Sequence, residues 1–191
     1  TQQLLKSKKI DFSMALNKTP ERQKHLLFTK VHHEIPLMLI CRKNFRHVNR
    51  IEELGSGKVA LIRGYASTEW IANDYSQLNT VLFDNLKDAV IALSKGRVDA
   101  LVQQATVIDY AQYQLNINNL KIMAPSPYMA RIHIAVRKDW PLLVSILNKQ
   151  LNQISPVEKS LMLDKWMNVR VEKELNWRLL LAWVLGVGAV A

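Results

Sequence analysis

Two eight-residue stretches of this chain follow one plan, and that plan restricts the fold more than any other feature. They are Leu5-Lys6-Ser7-Lys8-Lys9-Ile10-Asp11-Phe12 and Leu93-Ser94-Lys95-Gly96-Arg97-Val98-Asp99-Ala100. Each reads as a helix end, a tight basic turn and the start of a strand. In the second copy Asp84 can serve as N-cap, Leu86, Val90 and Leu93 share one helical face, and Gly96 suits the C-terminal turn. Two such units imply two similar lobes. Short apolar strands are expected at Phe12 to Leu16, Leu37 to Cys41, Val59 to Ile62, Ala100 to Gln103 and His133 to Val136. Strands alternating with helices predict an α/β fold with a largely parallel sheet in each lobe.

Two helices are expected next. Leu142, Leu143, Ile146, Leu147, Leu151 and Ile154 recur at three- and four-residue spacing after Pro141. Ser155, Pro156 and Glu158 then form a helix start with a capping box, before Leu161, Met162 and Trp166 supply an inward face. Leu179 to Ala191 carries no polar side chain and follows Trp177 and Arg178, a pair suited to a membrane interface. Spanning a bilayer takes about 20 apolar residues, so residues 176–191 read as the start of a transmembrane helix. At the other end, no secretory signal precedes Thr1, and the opening Leu4-Leu5-Lys6 resembles the last turns of a helix whose beginning is missing.

Composition excludes several classes. With 49% hydrophobic and 22% charged residues the chain is built to fold, and its one cysteine, Cys41, allows no internal disulfide. Cys41 lies in an apolar run, which makes it a buried structural thiol rather than a nucleophile. The net charge of +10 is concentrated early, since residues 1–50 hold 11 basic and 3 acidic side chains. Such a segment favours anionic partners. A nucleic-acid partner is not expected, because no helix-turn-helix, zinc-ligand or aromatic-basic signature accompanies the charge. Phosphate-loop, dinucleotide, zinc-protease and nucleophile-elbow motifs are all absent, so catalysis has no positive support. No cofactor is indicated. His32-His33-Glu34 makes a poor metal set, because adjacent histidines on an extended segment point to opposite sides.

The informative stretch is Asn17-Lys18-Thr19-Pro20-Glu21-Arg22, which follows a predicted strand. Arginine held beyond a strand's C-terminal end can fork onto a carboxylate, and open α/β sheets bind ligands at that end. The same spacing also fits a surface arginine opening a helix, and the residues alone do not separate the two.

Taken together, Thr19-Pro20-Glu21-Arg22, Phe28-Thr29-Lys30, Gly57-Lys58-Val59-Ala60, Gly64-Tyr65-Ala66, Gly96-Arg97-Val98-Asp99-Ala100, Ala135-Val136-Arg137-Lys138-Asp139 and Ile154-Ser155-Pro156 resemble bacterial extracellular solute-binding family 3. This is the periplasmic-binding-protein type II, or Venus-flytrap, domain. Gly64-Tyr65-Ala66 and Arg137-Lys138-Asp139-Trp140-Pro141 look most like its sensor-kinase branch. The resemblance implies a first lobe at residues 1–35 and 132–172, incomplete at its N-terminus, and a second lobe at 36–131. Two crossing strands, near Val31 to Pro36 and Pro127 to Ile132, join them around a clamped ligand.

By the same resemblance Arg22 is the carboxylate fork and Asn17 a neighbouring donor. Thr19 belongs to the same loop, and Tyr65, Ala66 and Ser67 offer helix-start N–H groups. Amino-acid binders of the family place an acidic side chain against the ligand ammonium, where this chain has Gln104. A carboxylate without a nearby amine, a polar ligand and an amino acid therefore all stay open. The implied role is a periplasmic, non-catalytic sensor domain of an inner-membrane signalling protein, with a histidine kinase or diguanylate cyclase as output and a homodimer open. The alternatives are the solute-binding component of an amino-acid ABC transporter and a cyclohexadienyl-dehydratase-like lyase.

Overall fold

The computed structural model describes residues 2–166. The chain divides into two units, residues 1–151 and 152–191. The first unit holds α1 (Gln2–Lys6), β1 (Phe12–Asn17), α2 (Pro20–Gln23), β2 (Leu26–Phe28) and β3 (His33–Arg42). A 3₁₀ turn at Ile51–Leu54 precedes β4 (Lys58–Ile62), α3 (Ala66–Asp74), β5 (Asn79–Phe83) and α4 (Leu86–Ser94). Then come β6 (Ala100–Gln103), α5 (Ala105–Leu115), β7 (Leu120–Arg137) and α6 (Pro141–Gln153). In the second unit α7 spans Pro156–Trp166.

The strands form one seven-stranded sheet ordered β1-β7-β3-β6-β4-β5, with β2 also on β7. Only β4 pairs in parallel, with β5 and β6, while β1, β2, β3 and β6 join their other neighbours antiparallel. The expected largely parallel sheets are thus replaced by a mixed one. The reason is that β3 and β7 are long strands that pair with each other directly, with no crossover helix between them. The segments expected to cross form one end of that pair, where His33 faces Ile132 and Pro36 faces Met129. Register slips beside Pro36, opposite Pro125 and Pro127. Proline cannot donate to a ladder, so a bulge is where a central strand tolerates it. Ser126 repairs part of the gap by donating its hydroxyl to the Leu37 carbonyl at 2.7 Å.

Two buried clusters flank β3, β4 and β6. One holds Leu39, Cys41, Val59, Leu61, Ile71 and Val102; the other holds Ile40, Ala60, Val90, Leu93, Leu101 and Ile108. Burial pushes the Cys41 thiol up to about 11, which makes it inert. A third, small cluster of Leu5, Leu26 and Ala135 lies under α1.

The repeated motif holds in three dimensions. Lys8 and Gly96 occupy matching places and both have positive φ, 57° and 75°. Lys9 N–H bonds Leu4 O and Arg97 N–H bonds Ala92 O, both at 2.9 Å, the six-to-one bond of a helix-ending left-handed turn. The matching aspartates also pair alike: Asp11 with Arg137 from the end of β7 at 2.7 Å, Asp99 with Arg42 from the end of β3 at 2.9 Å. Arg42 further donates to Leu93 O and Val98 O, closing the α4 turn.

Other expectations need correcting. The α4 N-cap is Asn85, whose side chain accepts from Asp88 N–H, while Asp84 pairs with Arg63. The apolar stripe of α6 contains no buried residue, and Leu142 and Ile146 are exposed, because α6 has no extensive packing partner among the described residues. In α7 the capping box forms as expected, with Ser155 N–H on Glu158 Oε2 and Glu158 N–H on Ser155 Oγ. Leu161 and Met162 are exposed rather than inward. The expected membrane segment at 176–191 lies outside the described residues, among which no helix is long and apolar enough to cross a bilayer.

Two predictions follow from the paired turns. Gly96→Ala should lower stability by about 1 kcal/mol through backbone strain, since the new Cβ would meet Arg42 only at ordinary contact distance. Lys8→Gly should raise it slightly, the relief exceeding the loss of an exposed ion pair to Asp139; thermal unfolding of both variants checks the signs. Burial alone would raise the Asp99 carboxyl, but Lys58 N–H and Arg42 outweigh it and hold it below its ordinary value. Its contribution is therefore complete above about pH 4, the unfolded value, and is lost as pH falls through the lower folded value. Asp99→Asn should flatten the stability profile in that acid range, measured by denaturant titration at successive pH values.

Candidate functional site

β4 and β6 lie side by side in parallel, so the segments leaving their C-terminal ends start at the same edge of the sheet. One segment runs through Gly64 into α3, the other through Gln104 into α5. Gly64 turns with φ 78°, a conformation costly for other residues. Thr68 Oγ1 accepts from Ile62 N–H and donates to Ile62 O, tying the first turn of α3 to β4. Neither N-cap, Tyr65 nor Gln104, supplies a side-chain hydrogen bond; Thr68 N–H turns back to Tyr65 O, and the N–H groups of Ala66 and Ser67 and of the first turn of α5 are left for another acceptor.

Arg22 arrives from α2. Thr19 caps that helix, its hydroxyl accepting from Arg22 N–H at 3.4 Å, and Pro20 starts it. Only 4% of Arg22 is exposed. Its guanidinium donates to Asn17 O at 2.5 Å and Gly64 O at 2.7 Å, so it joins the end of β1 to the loop before α3. Burial lowers its pKa and Glu69 opposes the change. Asn17 Oδ1 is buried without a hydrogen-bond partner, a costly state for an acceptor.

A cavity of about 640 Å³ opens between these elements. Of the residues expected from the sequence, Arg22, Asn17, Tyr65, Ala66, Ser67 and Gln104 line it. Thr19 does not; it is 1% exposed and acts as the α2 cap. Arg63, Trp70 and Gln103 also line the cavity and were missed. Gln103 is buried and its side chain accepts from Gln104 N–H at 2.9 Å. Nothing in the local sequence marks Trp70, which reaches the cavity one turn into α3. Among the described residues no aspartate or glutamate lines the cavity; Arg63 is paired with Asp84 outside it, so the buried Arg22 guanidinium and the two helix N-termini are what turns positive charge toward it. Among the described residues no group of histidine, cysteine, aspartate and glutamate is arranged to hold a metal ion.

A second cavity of about 680 Å³ shares Asn17 and Trp70 with the first and adds Lys18, Asp74, Tyr128, Arg131 and His133. Trp70 stacks on Tyr128 with centroids 5.6 Å apart, and Tyr128 donates its hydroxyl to Asp74 at 2.9 Å. Burial and that carboxylate raise the Tyr128 pKa.

Comparison with known proteins places this architecture. The chain is 27% identical over 154 residues to the ABC transporter arginine-binding protein 1 of Escherichia coli K12, covering 78% of this chain and 63% of that protein. It is 26% identical over 163 residues to the virulence sensor protein BvgS of Bordetella pertussis, covering 85% of this chain and 13% of the sensor. The crystal structure of the BvgS periplasmic VFT2 domain superposes with a TM-score of 0.76 at 26% identity, over 86% of this chain and 71% of that one. This chain thus spans less than two thirds of either relative's length, and shares the α/β periplasmic-binding-protein fold with the sensor's domain. The model of one family matches residues 1–169, and the chain belongs to it: the bacterial extracellular solute-binding proteins, family 3.

Proposed function

We propose that this chain is the ligand-binding part of a periplasmic sensor that closes on a small carboxylate lacking an α-amine. The observation that carries the reading is the convergence of buried Arg22 and the N-termini of α3 and α5 on one cavity without an acidic residue. A carboxylate there meets a fork of donors and two positive helix ends. An α-ammonium would have to be desolvated opposite Gln104 with no compensating charge. In this reading residues 1–35 with 132–172, and residues 36–131, are the lobes. The ligand must favour the closed state, since equal affinity for open and closed forms would shift nothing.

The sensor role rests on the BvgS likeness and on the apolar run Leu179 to Ala191, through which closure would reach an inner membrane. The arginine-binding relative supports the second reading, a transporter's binding component. A lyase would need an acid and a base in the cavity, whose titratable side chains are Arg22, Arg63 and Tyr65.

Arg22→Lys keeps the charge but loses the planar fork. It should weaken monocarboxylate binding at least tenfold, about 1.4 kcal/mol, by titration calorimetry, with near-UV circular dichroism confirming the fold. Unchanged affinity would remove Arg22 from the site. Gln104→Glu should shift preference at least tenfold toward α-amino acids over their des-amino counterparts, in the same titration. An unmoved preference would refute the assignment of Gln104.

A further inference from the structure

The second cavity carries opposite charges on different elements. Lys18, just beyond β1, makes no hydrogen bond or ion pair among the described residues. Asp74 ends α3 and, among the described residues, has only the Tyr128 hydroxyl as hydrogen-bond partner. Arg131 in the same cavity is paired with Glu34 at 3.1 Å, and His133 binds Thr29 O through Nδ1 at 2.7 Å. A ligand tail of either sign would therefore meet one like charge, at Lys18 or at Asp74. Lys18 and Asp74 line one cavity from different elements and are complementary in charge.

Their elements are tied to two places on β7. Asn17 stands opposite Ile132, and Tyr128, which holds Asp74, lies four residues earlier on the same strand, roughly 13 Å at strand rise. That stretch of β7 includes the irregular pairing beside Pro36. We infer that Lys18 and Asp74 are a closing latch: when the cleft shuts on its ligand they form an ion pair that is absent from the structure described above.

The latch rests on the carboxylate reading only in sharing its cleft. α3 carries both partners of the coupling, with Ser67 at the ligand cavity and Asp74 at the latch. Trp70, between them, lines both cavities and stacks on Tyr128. A helix this short moves as one body, so ligand capture and ion-pair formation reinforce each other. Water leaving the closing cleft strengthens the attraction, and salt weakens it. Lys18 and Asp74 are then positioning residues that set how readily the domain closes, without contact to the ligand.

The test uses the full 191-residue chain with cysteines at Glu21 and Ser76, both exposed, carrying spin labels, while buried Cys41 stays silent. Double electron–electron resonance, with and without a monocarboxylate probe, measures the closed population. Lys18→Asp should reduce closure at saturating probe and lower affinity about five- to tenfold. Lys18→Asp combined with Asp74→Lys should restore both, and Asp74→Asn, which still accepts from Tyr128, should mimic the single reversal. Raising salt should weaken binding in the wild type more than in Asp74→Asn. If the reversed pair fails to restore closure while Asp74→Asn keeps wild-type affinity, the latch is refuted. If Lys18→Asp weakens dicarboxylates but not monocarboxylates, Lys18 is a ligand contact and the latch is again refuted. Absence of any carboxylate binding refutes the carboxylate reading; a closed minority without probe that is larger in the wild type than in Lys18→Asp at low salt then supports the latch, and equal minorities refute it.

Discussion

The pairing of β3 with β7 is the constraint on which the rest of this molecule depends. β7 bonds to β1 and β2 over its last residues and to β3 over most of its length, so one strand joins the β1–β2 end of the sheet to its centre. Antiparallel pairing of two long strands needs no crossover helix, and it leaves β6, β4 and β5 to assemble on the far side of β3. The parallel pair β4 and β6 then aims two helix starts at the end of β1. The geometry of the cavity is thus a consequence of strand order.

In the proposed reading electrostatics does the selecting. Arg22 is almost fully buried and spends two donors on backbone carbonyls, so its position is fixed by the fold before any ligand arrives. Such preorganisation reduces the ordering that binding must otherwise impose. The same two bonds give Arg22 a structural role beside its proposed one, because they link the α2 segment to the loop before α3.

Much of this was legible in the residues, and the limits have physical causes. The repeat was readable because a helix-ending turn has strict chemistry: one left-handed residue, then an apolar strand with an aspartate. Its recurrence at Lys8 and Gly96 is visible in both sequence and backbone. The capping box at Ser155 was readable for the same reason, being local. Missed were β2 and β5, whose apolar runs are only three residues long, and the antiparallel majority of the sheet, since pairing direction is a long-range property. Six of the seven expected site residues line one cavity, yet Arg63, Trp70 and Gln103 reach it only through the β4–β6 register. Thr19 was placed beside the ligand because it neighbours Arg22 in sequence, whereas its hydroxyl is turned to its own helix.

The prolines at 36, 125 and 127 carry a mechanical consequence. None has an amide proton, and they gather where the two long strands slip out of step. The sheet is consequently well stitched on either side of a seam with few threads. Bending along that seam sacrifices little hydrogen bonding, so compliance is written into a narrow band of backbone while the flanking layers stay stiff.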